Sequence, residues 1–266
     1  MERQTYTTLC RDSGYSKDTL QRTFYAFLEQ APLIKIDKRD GVNLRMDATY
    51  FKRFCMVAYQ DDFDGYTQLI RFTDGEHYTE IKEDLDNLIR LGVKLESITI
   101  DGHKAALKAI RRSLKDSVIV QRCLVHIQRM CLIWLTKYPK HIAGQQLRAL
   151  VLLLLRIKSE NDKLFWINEL SSWHLQHKVY LNEKTINEQT GRYWYTHKLL
   201  RRSYYLIKRA LPNMFHYLQN PNIPNTTNGI EGYFSHLKNH LDLHRGLTLK
   251  NRINFIKWYV HFSNEK

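Results

Sequence analysis

With 266 residues, 43% of them hydrophobic and 26% charged, the chain is long enough to bury one large core or two smaller ones and has an ordinary folded-protein composition. The longest apolar run, residues 149–155, is far too short to span a bilayer. The first residues are polar rather than signal-like, and Cys10, Cys55, Cys123 and Cys131 lack disulfide-rich spacing, so a cytoplasmic, nucleoid-associated protein with no membrane contact is expected. Net charge is +14 and unevenly placed: residues 1–126 are nearly balanced, whereas residues 127–266 carry 21 basic and 8 acidic side chains, which favours a polyphosphate partner over a merely solvated surface.

Residues 3–30 read as a helix–turn–helix. A short helix begins near Gln4, Gly14 suits a left-handed turn, Ser16 is an N-cap, and Asp18 lies in the first turn of a second helix reaching Leu28. Major-groove docking of that second helix would bring Lys17 and Arg22, with Thr19 and Gln21, to DNA. Two-helix patterns of this kind also occur in proteins that never touch DNA. Pro32 closes the unit, giving boundaries of 1–32.

From Val42 the hydrophobic period shortens. Strands are expected at 42–47, 54–59 and 66–72, the last two joined by a turn at Asp64-Gly65. Tyr78, Ile81, Leu85, Leu88 and Ile89 share a helical face that Gly92 ends, followed by a strand at 97–100, a helix at 104–114 and a strand at 118–121. After Cys123 no strand is expected. Helical spacing covers 124–135, 141–157, 162–176 and 198–217, then 230–241 and 249–262. The order β-β-β-α-β-α-β is that of an α/β, ribonuclease-H-like mixed sheet. Its core (40–126 and 223–266) would be interrupted by an all-helical insertion (127–222).

In that topology the first and fourth strands are central neighbours, so Asp47 and Asp101 at their ends would stand side by side, with Glu231 arriving from a late helix. Any one of these acids alone reads as a turn or cap residue. Together they suit two Mg²⁺ ions, which take a few carboxylates plus water and phosphate oxygens, and Mn²⁺ can substitute. Such ions activate an attacking water or 3′-OH and stabilise the leaving oxygen. Neither a Ser-His-Asp arrangement nor a P-loop is evident.

The segment Ile223 to Lys238, containing Asn225-Thr226-Thr227-Asn228-Gly229-Ile230-Glu231-Gly232, with His244-Arg245-Gly246-Leu247 after it, resembles the glutamate motif of Mutator-like bacterial insertion-sequence transposases. Cys123-Leu124-Val125-His126 resembles their Cys-x-x-His signature, and Asp47 and Asp101 fall where that family has its first two acids. The resemblance spans roughly residues 1–260. It implies DDE chemistry: nicking at element ends, then attack of the 3′-OH on target DNA. Asp47, Asp101 and Glu231 would be the catalytic metal ligands, and the partners would be double-stranded terminal inverted repeats and target DNA. A homodimer or larger assembly on DNA is also implied. Family members often carry a longer N-terminal region, so a shortened copy is one expectation.

Several further residues attract a reading. Cys123 and His126 have too few companions for structural zinc, with Cys131 and His141 recruited only by special geometry, and a position supporting the acids is favoured. Asn225 and Asn228 are expected to cap the glutamate helix. Arg192, Lys198, Arg201 and Arg202 interleave with aromatic residues and suit phosphate contact. Stacking of Tyr193, Trp194 and Tyr204 on bases competes with their burial in the insertion. Lys238, two turns beyond Glu231, and Arg245 are further DNA candidates. Two other readings stand beside the transposase: a catalytically silent descendant serving as DNA-binding repressor or architectural protein, and another nuclease of the same fold, whose helical insertion is harder to explain.

Overall fold

Five β-prone runs form one mixed sheet. In a computed structural model describing residues 4–115 and 117–265, β1 (Val42–Tyr50), β2 (Cys55–Asp61), β3 (Thr67–Thr73), β4 (Leu95–Ile100) and β5 (Ile119–Arg122) lie in the order β3-β2-β1-β4-β5. The first three strands are antiparallel, while β4 and β5 run parallel to β1. Parallel pairing needs crossovers, supplied by α3 (Tyr78–Arg90) between β3 and β4 and α4 (Lys104–Ser113) between β4 and β5. This is the expected α/β, ribonuclease-H-like arrangement.

Strand alternation divides the sheet's side chains between two cores. Val42, Leu44 and Met46 of β1 pack with Ile81, Leu85 and Leu88 of α3 and with Ala106, Ala109 and Ile110 of α4. Met56 and Ala58 of β2 face the other way, onto Ile230, Phe234 and Leu237 of α9 (Asn228–Leu241) and Ile256 and Val260 of α10 (Leu249–Asn264). Because Asp47 pairs with Ala58, its side chain belongs to the α9 face. Alternation along β1 thus turns an acid toward the helix that carries the third acid.

The N-terminal helices α1 (Tyr6–Ser13) and α2 (Lys17–Glu29) are consistent with a helix–turn–helix. Gly14 takes the left-handed conformation between them (φ 73°), and the Ser16 side chain caps α2 by accepting from Thr19 N–H. The first three residues of the expected 1–32 unit, and the last of the 223–266 unit, lie outside the described residues. Two hydrogen bonds tie α2 to α10: Asn254 Nδ2 donates to Leu28 O (2.6 Å) and Trp258 Nε1 to Phe27 O (2.8 Å).

A third core fills the helical insertion of α5 (Leu124–Leu135), α6 (Ile142–Leu153), α7 (Glu160–Asn182) and α8 (Lys198–Ala210). Two indoles crosslink it while satisfying their own donors: Trp166 donates to Leu150 O (2.8 Å) and Trp173 to Ala143 O (2.9 Å). The insertion departs from expectation in holding a hairpin, β6 (Lys184–Ile186) with β7 (Tyr193–Tyr195). The helix expected over 198–217 stops at Ala210, where Pro212 opens a 3-10 turn. No helix among the described residues is long and apolar enough to cross a membrane.

Candidate active site

Two acids are placed by strand register. Arg45 of β1 pairs with Thr99 of β4 in parallel, so Asp47 and Asp101, each two residues further on, stand at the same rim of adjacent central strands. Asp47 Oδ1 accepts from Ala48 N–H (2.8 Å) and Asp101 Oδ1 from His103 N–H (2.8 Å), which fixes both carboxylates against their own backbone. The turn after Asp101 requires Gly102, whose φ is +93° and whose missing Cβ leaves room for the Arg122 guanidinium. Arg122 in turn donates to Asp101 O (2.9 Å).

The third acid arrives through a chain of anchors on the loop before α9. Thr99 Oγ1 donates to Pro224 O (2.7 Å), Leu124 N–H to Asn225 O (2.9 Å), and Thr227 N–H and Oγ1 both reach Cys123 Sγ at 3.3 Å. With its first residues clamped to β4 and to the start of α5, α9 presents Glu231 from its first turn. Gly229, one residue into α9, has no side chain to collide with Arg45, which ion-pairs with Asp62. Asn228 was expected as a cap, but Thr227 occupies the N-cap position. Asn228 is the exposed first helical residue, with no side-chain hydrogen bond among the described residues. The clamped loop, rather than an asparagine side chain, fixes where the helix begins.

Asp47, His126 and Glu231 converge, their ligand atoms all within 4.8 Å of one another. His126 was expected behind the acids; instead its Nε2 lies 3.7 Å from Glu231 Oε1, while Nδ1 is held 3.2 Å from Cys123 Sγ. Arg129, one turn further along α5, donates to Glu231 Oε2 (3.1 Å). The sequence reading missed Arg129, although its spacing of three from His126 puts both on one helical face. Asp101 lies outside the compact trio, but its charge is felt at both Asp47 and His126.

The electrostatics are those of a site short of positive charge. Burial, with the charges of Asp101 and Glu231, pushes the Asp47 carboxyl up to about 6 against the opposing pull of Ala48 N–H and His126. The Cys123 hydrogen bond raises His126 to about 9 against its burial, helped by Asp47 and Asp101. Burial would raise the Cys123 thiol, but hydrogen bonds from His126 and Thr227 outweigh it and lower it. Glu231 Oε1 is buried without a hydrogen-bond partner. An orphaned carboxylate oxygen beside a destabilised carboxylate is what a divalent cation would relieve, so the donor set fits such an ion.

A family model described as transposase, Mutator family, matches residues 19–153, half of the chain. The chain belongs to the Mutator family of transposases. The match takes in Asp47, Asp101, Cys123 and His126 and ends before Glu231. No curated protein matches the chain. Among solved structures it is similar to the HTLV-2 integrase catalytic core domain in complex with magnesium, at 17% identity over 57% of this chain and 93% of that one, with a TM-score of 0.27. It is also similar to the simian T-cell lymphotropic virus intasome in complex with a PP2A regulatory subunit, at 16% identity, 63% and 58% coverage, and a TM-score of 0.25.

In this Mutator-family chain the remaining DNA candidates occupy three regions. Lys17 and Arg22 are exposed on α2, and Arg245 is exposed after α9. Lys238 sits over the Phe51 ring (5.4 Å), just beyond β1. In the insertion Arg192 and Lys198 are exposed, with Lys198 over Trp194 (5.6 Å) and Arg202 over Trp134 (4.2 Å). Arg201 is engaged internally, stacked over Tyr195 (3.7 Å) and donating to Asn182 Oδ1 (2.6 Å). Tyr193 and Trp194 are exposed at 57% and 39%, against the reading that buries them, whereas Tyr204 is buried.

Proposed function

We propose that this chain is a DNA transposase of a bacterial insertion sequence, cleaving element ends and joining the 3′-OH to target DNA at the Asp47–Asp101–Glu231 site. The observation that carries the reading is the convergence of Asp47 and Glu231, from β1 and a distant helix, into one cluster with a buried unpartnered oxygen. Two Mg²⁺ ions, or Mn²⁺ in their place, would supply Lewis-acid activation of the attacking hydroxyl and charge relief for the leaving oxygen. The chain's own part is to fix three carboxylates on a rigid rim, with His126 and Arg129 offsetting their charge until ions and a phosphate arrive. The basic residues of 127–266, Arg192, Lys198 and Arg202 among them, would hold the DNA backbone, and Lys17 and Arg22 the terminal repeats.

The working division is 1–32 for end recognition, 40–126 with 223–266 for chemistry, and 127–222 for DNA contact, in a dimer or larger assembly on nucleoid DNA. The test is nicking of inverted-repeat DNA in Mg²⁺. Asp47→Asn, Asp101→Asn and Glu231→Gln should each abolish it while leaving DNA affinity nearly intact. Nicking that survives any of the three rejects the assignment. One observation favours a silent DNA-binding descendant instead: Arg129 and His126 already stand against Glu231, so the cluster can be neutralised without a cation. Absence of nicking by the parent chain on its own repeats selects that reading.

A further inference from the structure

The loop between β3 and α3 carries an acid absent from the scheme above. It is well pinned: Thr73 Oγ1 donates to Glu80 Oε2 (2.6 Å), and His77 Nε2 contacts Asp74 Oδ1 (2.6 Å). Between these anchors Glu76 turns inward, its side chain only 14% exposed. Its two partners come from the ends of the strands that bear the first two acids. Tyr50, three residues after Asp47, donates its hydroxyl to Oε2 at 3.4 Å, and His103, two residues after Asp101, brings Nδ1 to 3.5 Å of Oε1. Glu76 therefore spans the rim on which Asp47 and Asp101 stand.

Both contacts are long for bonds to a carboxylate, where the O–H···O distance is typically about 2.7 Å. A largely buried carboxylate is thus left under-satisfied among the described residues, within the electrostatic reach of Asp101 and His126. An extra negative charge at a rim meant for phosphate would repel the substrate unless a cation lies between them. We propose that Glu76 is a fourth carboxylate of the cation-holding rim, acting on the Asp101 side of the site. The inference rests on the cation reading of the Asp47–Glu231 cluster. It assigns the β3–α3 loop a part in holding ions as well as connecting elements.

The test uses Mn²⁺ alone, titrated calorimetrically into the full chain without DNA, with thermal unfolding as a check on each variant. The parent should bind Mn²⁺ and Asp47→Asn should lose that binding. Glu76→Gln should weaken it by about tenfold or more, the usual cost of removing a supporting group from a metal site. Glu76→Asp, which keeps the charge, should lose less, and Glu83→Gln, altering an exposed partner of Arg71, should bind like the parent. Parent-like affinity in Glu76→Gln overturns the proposal while leaving the cation site standing. Equal losses in Glu76→Asp and Glu76→Gln overturn it as well, since charge would then not be the cause. A parent chain that binds no Mn²⁺ defeats the site and the inference together.

Discussion

Thr227 hangs its backbone N–H and its hydroxyl on the sulfur of Cys123, each at 3.3 Å, and the same hydroxyl stands 3.3 Å from His126 Nδ1. Cys123 leaves the end of β5 and Thr227 precedes α9, so one sulfur sets the start of the glutamate helix against the sheet. This accounts for the Cys-x-x-His spacing physically. A residue three further along α5 folds back over the first, so the imidazole that caps the sulfur with Nδ1 turns Nε2 toward Glu231.

Cys123→Ala removes the sulfur that Thr227 leans on and leaves a buried N–H without its acceptor. A loss of about 1–3 kcal/mol is expected from that orphaned group, read from urea unfolding. Thr227→Val keeps the N–H bond and removes only the hydroxyl, so a loss of about 1 kcal/mol is expected. Cys123→Ala unfolding at the parent's urea concentration would show that the sulfur does not anchor α9.

The pH dependence follows from Asp47 and His126 with opposite windows. The Asp47 carboxyl is raised from 3.8 to about 6, so the folded state holds its proton longer than the unfolded chain does. Its contribution is greatest near pH 4 and falls as pH rises through 6. His126, raised from 6.5 to about 9, contributes stability that is full below pH 6.5 and lost as pH rises through 9. Asp47→Asn should therefore raise the Tm of the cation-free protein at pH 7.5 and leave it nearly unchanged at pH 4. Mg²⁺ should raise the parent's Tm more at pH 7.5 than at pH 5, because the ion needs the ionised carboxylate. A cation-free Asp47→Asn variant that melts below the parent at pH 7.5 contradicts the picture of an acid destabilised by its neighbours.

Arg129 holds Glu231 Oε2 at 3.1 Å but is itself half exposed, so the pair is a weak stabiliser and a competitor for incoming cations. Arg129→Gln should change stability by less than about 1 kcal/mol. It should also tighten Mn²⁺ binding, seen as a lower half-saturation concentration. A drop of several kcal/mol would mean that Arg129 is the permanent partner of Glu231, the arrangement a silent DNA-binding descendant would keep.

The sheet and its acids were legible because they rest on period and order. Apolar Val42, Leu44 and Met46 alternate with Arg45 and Asp47, and that alternation assigns Asp47 a face before any contact is known. Glu231 was legible from its motif rather than from periodicity. The β6–β7 hairpin escaped because its strands are three residues long with both faces largely exposed, so no hydrophobic alternation marks them. Exposure of Tyr193 and Trp194 follows from the same geometry, since a two-stranded ribbon has no second layer to cover them. Asn228 was misplaced by one residue because capping statistics favour asparagine, whereas Thr227 is held by a sulfur distant in sequence. Glu76 gave no local signal; its meaning depends on Tyr50 and His103, which only the fold brings to it.

Gly102 offers a test of how tightly the second acid is placed. Two demands meet there: φ is +93°, and a Cβ would run into the Arg122 guanidinium that secures the Asp101 carbonyl. Gly191, in the β6–β7 turn, shares the first demand (φ +66°) but has nothing within 4 Å of a built Cβ. Gly191→Ala should therefore cost only the left-handed penalty, about 1–2 kcal/mol, and leave Mn²⁺ affinity unchanged. Gly102→Ala carries that penalty and must also displace Arg122, so it should destabilise more and weaken Mn²⁺ binding by moving Asp101 against Asp47. Equal losses of stability in the two variants, with Mn²⁺ affinity intact in both, would show that the Arg122 contact does not set the position of the acid.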